Sequence, residues 1–172
     1  MEHLYAPWRS SYLLSKRKDK KCIFCSKFKE KRDKKNFILL RGENCFALLN
    51  LYPYNDGHLM IAPNRHLADP DKLRDEEWSE LQEMSRLSLR VLKEVFHPEG
   101  FNVGMNLGKA AGAGIAEHLH LHVVPRWTGD TNFLPVIGKS KVISQNLSEV
   151  YRKLVPLFKA ERVFLLEKDK ST

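Results

Sequence analysis

The stretch Glu117-His118-Leu119-His120-Leu121-His122-Val123-Val124-Pro125-Arg126 decides how the rest of the chain is read. Three histidines alternate with Leu119, Leu121 and Val123, the period-two pattern of a strand with one face buried. Residues two apart on a strand lie about 6.5 Å apart on the same side, so a single small group could touch two or all three rings. The plainest interpretation is three histidines satisfied within an ordinary strand. Strict alternation argues against it, because imidazole serves as metal ligand, general base or nucleophile near neutral pH. Two histidines at i and i+2 could also share a metal ion, so the pattern alone leaves both chemistry and metal binding open.

Immediately upstream, Phe101 to Leu107 alternates again and predicts a strand. It leads into Gly108-Lys109-Ala110-Ala111-Gly112-Ala113-Gly114-Ile115-Ala116, whose small side chains would let backbone approach an anion and expose N–H donors to it. Downstream, Trp127 to Phe133 forms a polar turn. From Asp75 to His97, apolar residues including Trp78, Leu81, Met84, Val91, Leu92 and Val95 recur at helical spacing, which places Trp78 and Met84 in the core. Asp75, Glu76 and Glu77 suit the N-terminal dipole of that helix, and Pro98-Glu99-Gly100 ends it.

Earlier in the chain, Asn36-Phe37-Ile38-Leu39-Leu40 and Cys45-Phe46-Ala47-Leu48-Leu49 flank Gly42-Glu43-Asn44 as a hairpin. The loop Leu51 to Gly57 then opens a short strand, His58 to Pro63, in which His58 sits beside a glycine that allows close backbone approach to a ligand. A second helix is expected over 144–158, with Leu147, Val150, Tyr151, Leu154, Val155 and Phe158 on its apolar face and Pro156 near its end. A last strand is expected at Val163 to Leu166.

The chain of 172 residues suffices for one well-buried core of mixed α and β make-up. No stretch reaches the roughly 20 apolar residues of a membrane helix, and the start lacks the apolar core of a secretory leader, so a cytoplasmic protein is expected. The aromatic segment Tyr5 to Tyr12 is expected to be an N-terminal arm packed on the domain. The net charge of +8 is concentrated in a lysine-rich linker, Lys16 to Lys35, with little aromatic interleaving. That argues against nucleic acid and suits a phosphate-rich small molecule. Within the run, Cys22-Ile23-Phe24-Cys25 is half a zinc site, a redox pair or incidental. A four-ligand site would need two more ligands, for which histidine is the natural supplier, and a redox role lacks its usual βαβ setting.

His118 to Val124 matches the His-φ-His-φ-His-φ-φ motif of the histidine triad (HIT) family, and the chain resembles that family upstream as well. Phe46 to Asn50, Gly57 to Pro63 and Arg65-His66 carry the likeness, which runs from about Cys22 to Trp127. The resemblance implies an α+β HIT fold with a five-stranded antiparallel sheet and two helices. Residues 1–172 would form a single domain with a basic, zinc-binding arm (about 1–35) and a helix-strand tail (about 144–172), and would usually form a homodimer. It also implies a nucleotidyl hydrolase or transferase with a nucleotide as its small-molecule partner. His120 would attack the α-phosphate, His118 and His122 would orient it and bind phosphate, and His58 would lie next to it. Asn50 would contact ribose and Asn106 phosphate; Gly112, Ala113, Gly114 and Trp127 complete the expected nucleotide-binding set. By the same resemblance Cys22, Cys25, His66 and His118 would hold a structural zinc, with no organic cofactor. One departure stands out: many dinucleotide-cleaving members carry Gly-Gln before the triad, whereas Ala111 to Glu117 contains no glutamine. That pattern looks closer to the diadenosine tetraphosphate phosphorylase branch, in which inorganic phosphate replaces water.

Overall fold

The structure, a computed structural model, describes residues 21–130 and 145–169, with side chains through 161. The expected N-terminal arm therefore lies outside the described residues, as do the start of the basic run and Phe133. Two short helices, α1 (Ile23–Glu30) and α2 (Asp33–Asn36), precede the hairpin strands β1 (Ile38–Arg41) and β2 (Cys45–Leu49). Then come β3 (Leu59–Pro63), α3 (Asp75–Phe96), β4 (Gly100–Met105), β5 (Leu121–Arg126) and α4 (Leu147–Asp169). The strands make one antiparallel sheet in the order β1-β2-β3-β5-β4. The fold is α+β, as expected. Among the described residues no helix is long and apolar enough to cross a membrane.

Period two sorts the strand residues onto two buried faces. Cys45, Ala47, Leu49, Leu59, Ile61, Leu121 and Val123 join the core under α3 and α4. Phe46, Leu48, Met60 and Ala62 join a second cluster closed by Phe24 of α1. Burial on both faces is why β2 and β3 read as continuous apolar runs. The hairpin is tied to α3 by the Glu80 carboxylate, which accepts from the backbone N–H groups of Glu43, Asn44 and Cys45. A Cβ at Gly42 would fall 1.9 Å from that carboxylate, so the turn needs glycine there.

Several expectations are corrected. The lysine-rich run is not a linker where it is described, because α1 and α2 occupy it. Asn36 ends α2 and Phe37 caps it with a positive φ of 55°, so β1 starts only at Ile38. The two expected helices are α3 and α4, and α1 and α2 bring the α-helices among the described residues to four. The helix α4 runs through Pro156 and through 163–166, where a strand was expected. A short run such as Val-Phe-Leu-Leu does not distinguish strand from helix by periodicity, and a proline costs a helix one N–H bond without always ending it. Trp78 is exposed, and it is Glu77 that falls on the buried row with Leu81, Met84, Ser88 and Val91.

Glu77 is buried because it is paired. It accepts from Arg65 at 2.7 Å and 2.9 Å, from the Arg74 backbone N–H at 2.9 Å and from the Arg74 guanidinium at 3.2 Å. The hydrogen bonds of Arg65, ahead of the opposing effect of burial, hold its carboxyl down at about 2. A folded-state value below the unfolded one stabilises the protein above about pH 4.3, and the gain is lost as pH falls toward 2. Glu77→Gln is therefore expected to cost on the order of 2 kcal/mol at pH 7. Urea titrations of both proteins at pH 7 and at pH 2.5 check this, since the difference should shrink in acid.

Candidate active site and metal cluster

The histidines keep their alternation but not their strand. Only His122 lies in β5, which begins at Leu121; His118 and His120 precede it, outside the sheet ladder. Leu121 and Val123 still point to the α3 side. The approach segment is held by other means. The Leu119 N–H donates to the Leu67 carbonyl at 2.6 Å, and the Phe24 ring lies 5.0 Å from His118 and 4.9 Å from His120 between ring centres.

Hydrogen bonds assign the ring protons. The His118 carbonyl can only accept, so His120 Nδ1, 2.8 Å away, carries the hydrogen and Nε2 keeps the lone pair. Burial pushes the His120 pKa down, against the opposing pull of that carbonyl, so the neutral ring is favoured. A second chain starts at Tyr54, whose backbone N–H donates to His58 Nδ1 at 3.0 Å. Neutral His58 then carries its hydrogen on Nε2 and donates it to His122 Nδ1 at 2.9 Å. Neutral His122 in turn bears its hydrogen on Nε2. His58 is fully buried and Tyr54 lies over it, 4.7 Å between ring centres.

A cavity of about 90 Å³ brings His120 and His122 together with Asn50, Asn106, Gly112 and Gly114. Its opposite wall is apolar and includes Leu48, Met60 and Ile115, with Ile23 and Lys27 contributed by α1. A lone-pair nitrogen and an N–H donor thus share one pocket, an arrangement suited to attack on a phosphoryl group. His118 and His58 stand behind the pocket and not in its lining. Trp127 is outside it as well, beyond the end of β5 in a turn whose N–H donates to Asp130 at 3.1 Å. Ala113 does not line it, and the Gly112 and Ala113 N–H groups close turns on Lys109 and Gly108 at 3.0 Å and 3.3 Å. Gly57 is needed for packing: its φ is +74° and a Cβ would sit 3.0 Å from Phe96 and 3.1 Å from Leu92. Sequence reasoning missed Ile23, Lys27 and Tyr54. The four-residue spacing of Ile23 and Lys27 was the available signal for a shared helical face.

Cys22, Cys25, His66 and His118 converge, with one ligand atom from each lying within 4.8 Å of the others. His118 Nδ1 is 3.3 Å from Cys22 Sγ, 3.5 Å from Cys25 Sγ and 3.3 Å from His66 Nδ1; Cys25 Sγ is 3.4 Å from His66 Nδ1. A tetrahedral ion bound at about 2.3 Å to sulfur and about 2.0 Å to nitrogen spaces its ligand atoms roughly 3.3 to 3.8 Å apart. His118 Nε2 donates to the Pro63 carbonyl at 3.0 Å, which leaves the Nδ1 lone pair directed at the cluster. Burial holds the His118 pKa down at about 4, so the ring is neutral as a ligand must be. These four residues can bind a metal ion. Cys45 is no part of it: it is buried in β2, and burial, with Glu80 and Glu77 adding to it, pushes its thiol up to about 12.

A family model described as HIT domain matches residues 31–129, and the chain belongs to the histidine triad family. Among its relatives, the AP-4-A phosphorylase of Mycobacterium tuberculosis is 51% identical over 122 residues, 71% of this chain and 63% of that protein. The chain thus spans less than two thirds of the length of that relative. The bis(5'-adenosyl)-triphosphatase of Dictyostelium discoideum is 34% identical over 89 residues, 52% of this chain and 59% of that one. A Zn-bound histidine triad family protein from Mycobacterium smegmatis superposes with a TM-score of 0.66 at 26% identity, covering 83% of this chain and 96% of its own.

The thiols differ enough to be told apart chemically. In metal-free protein, iodoacetamide at pH 8 is expected to modify Cys22 and Cys25, and Cys45 only after unfolding. Peptide mass spectrometry reads the three sites separately.

Proposed function

We propose that the chain cleaves dinucleoside polyphosphates such as diadenosine tetraphosphate through a covalent nucleotidyl-histidine at His120. The observation that carries this reading is the hydrogen bond from His120 Nδ1 to the His118 carbonyl, which leaves the Nε2 lone pair beside the His122 Nε2–H in one pocket. Attack by Nε2 on the α-phosphorus forms an N–P bond and breaks the bond to the bridging oxygen. The electron pair leaves on the polyphosphate, which is stable as an anion and needs no strong acid. The positive charge left on the His120 ring is shared through Nδ1–H with the His118 carbonyl. His122 donates to the phosphoryl oxygens, where charge builds up, and Asn106 supplies a second donor. Asn50 contacts ribose.

In the second half-reaction an oxygen of inorganic phosphate or water attacks the same phosphorus, and the electron pair of the N–P bond returns to Nε2. The absence of glutamine before the triad, and the 51% identity to a protein named AP-4-A phosphorylase, support phosphate as acceptor. The products from diadenosine tetraphosphate are then ADP and ATP. Zinc is the ion that best suits a Cys₂His₂ set, and its role is structural: it would hold α1 to the segment carrying His118 and His120. The reading includes a cytoplasmic homodimer. Exposed Val103 on the edge strand β4 and exposed Leu107 beyond it support pairing of two copies.

Chromatography of products from diadenosine tetraphosphate, with and without inorganic phosphate, tests the reaction. ADP plus ATP only with phosphate is expected, and AMP plus ATP without it would make water the acceptor. His120→Ala should lower turnover at least about a thousandfold; undiminished turnover would remove His120 as nucleophile. Metal analysis and cobalt substitution test the cluster. Wild type should take up roughly one ion per chain and show the visible bands of tetrahedral cobalt, and a Cys22→Ser, Cys25→Ser double variant should lose both.

A further inference from the structure

Tyr54, Asn106 and His122 line a second hollow besides the cavity, a groove of about 460 Å³ that runs past Asn102, Gly104 and Val124 to Arg126. Strand register explains its course. Gly104 of β4 pairs with His122 of β5, and Asn102 pairs with Val124, so period two puts these four on one side of the sheet. Arg126 is four residues beyond His122, about 13 Å along the strand. His120 lines the cavity alone and His122 lines both hollows, so the groove leads away from the attacking nitrogen. In an in-line displacement the leaving oxygen lies opposite the nucleophile. The nucleoside being transferred occupies the apolar wall of Leu48, Met60 and Ile115, which leaves the groove for the other half of a dinucleotide.

We propose that this groove holds the departing nucleoside polyphosphate of a dinucleotide substrate and that the side-chain amide of Asn102 donates to its phosphates. This deepens the nucleotide-transfer reading above and rests on it. Two observations carry it. Neither packing nor backbone requires glycine at 104: a Cβ there would meet nothing within 4 Å, and its φ is not positive. Glycine weakens a strand interior and marks places where a ligand comes close. Here the missing side chain keeps the sheet face clear beside His122. The second observation is the orientation of Asn102. Buried Asn55 donates to the Asp130 carboxylate at 2.7 Å, and Asp130 accepts from Arg126 at 2.6 Å and 2.8 Å. Arg126 in turn donates to Asn102. A guanidinium can only donate, so the Asn102 atom that faces it is Oδ1, and Nδ2 keeps both its N–H groups for another acceptor. Among the described residues none accepts from them. Asp130 already balances the Arg126 charge, so the groove offers neutral donors, which bind an anion more weakly than a free cation does and let the product leave.

Calorimetric titration of wild type, Asn102→Ala and Gly104→Val tests the assignment, with melting curves confirming that the variants fold. The ligands are AMP and a diadenosine tetraphosphate analogue whose α,β-bridging oxygens are replaced by methylene, so that it binds without being cleaved. Wild type is expected to bind the analogue more tightly than AMP. Asn102→Ala should weaken the analogue roughly tenfold, as loss of one hydrogen bond to an anion does, and AMP less than about twofold. Gly104→Val, which puts a side chain into the groove, should weaken the analogue at least as much and again spare AMP. An Asn102→Ala protein that binds the analogue as wild type does overturns the proposal, as does either variant losing analogue and AMP to the same degree. Binding of the analogue needs no turnover. Selective loss of the analogue in a chain that leaves diadenosine tetraphosphate uncleaved would sink the transfer reading and keep the groove; cleavage by a chain whose Asn102→Ala variant retains full affinity would do the opposite.

Discussion

The hydrogen bond from His120 Nδ1 to the carbonyl of His118 is the constraint on which the site depends. It spans two residues, so it holds only while the segment between them keeps one shape. That segment is outside the β ladder and has no register to hold it. Its shape comes from the side: Leu119 bonds to Leu67, His118 bonds to Pro63, and Phe24 packs against both imidazoles. Orientation of the His120 ring is thus a tertiary property, even though donor and acceptor are neighbours in sequence.

Helix α1 joins three tasks within one and a half turns. Cys22, at its N-cap, and Cys25 face the metal cluster, Phe24 supports the two histidine rings, and Ile23 and Lys27 wall the cavity. A rigid helix makes these tasks move together. An ion held between the cysteines and His66 and His118 would therefore also fix the wall of the cavity that Ile23 and Lys27 form. Within this lysine-rich region, which taken alone suggests a solvated arm, Lys27 belongs to the wall of the cavity.

On the other face, α3 and α4 give the sheet its main core and carry little of the chemistry. Their contribution is position. The buried Glu77 carboxylate binds Arg65, next to the metal-facing His66, and Glu80 binds the β1-β2 turn. Two acidic groups three residues apart near the start of α3, Glu77 and Glu80, thus tie down the loop after β3 and the hairpin before it. Gly57, pressed on Leu92 and Phe96, connects the same helix to His58 and so to the proton chain ending at His122.

Alternation and residue type alone determined the strands from β1 to β5 and the long helix, and the resemblance to the histidine triad family supplied the four members of the metal cluster. Each of these follows from local periodicity or from a motif whose residues do their work together. Sequence failed where a local pattern has two solutions. A basic run reads alike as linker or helix, a short apolar run reads alike as strand or helix, and Trp78 outranks Glu77 in hydrophobicity although Glu77 has the buried position and the arginine partners. Only the tertiary structure decided which nitrogen of His58, His118, His120 and His122 carries its proton, that Trp127 stands apart from the cavity, and that Lys27 lines it. Those outcomes depend on carbonyls and amides brought together from Tyr54, Pro63, Asn36 and His118. Backbone groups are the same in every residue, so no pattern of side chains announces where they will meet.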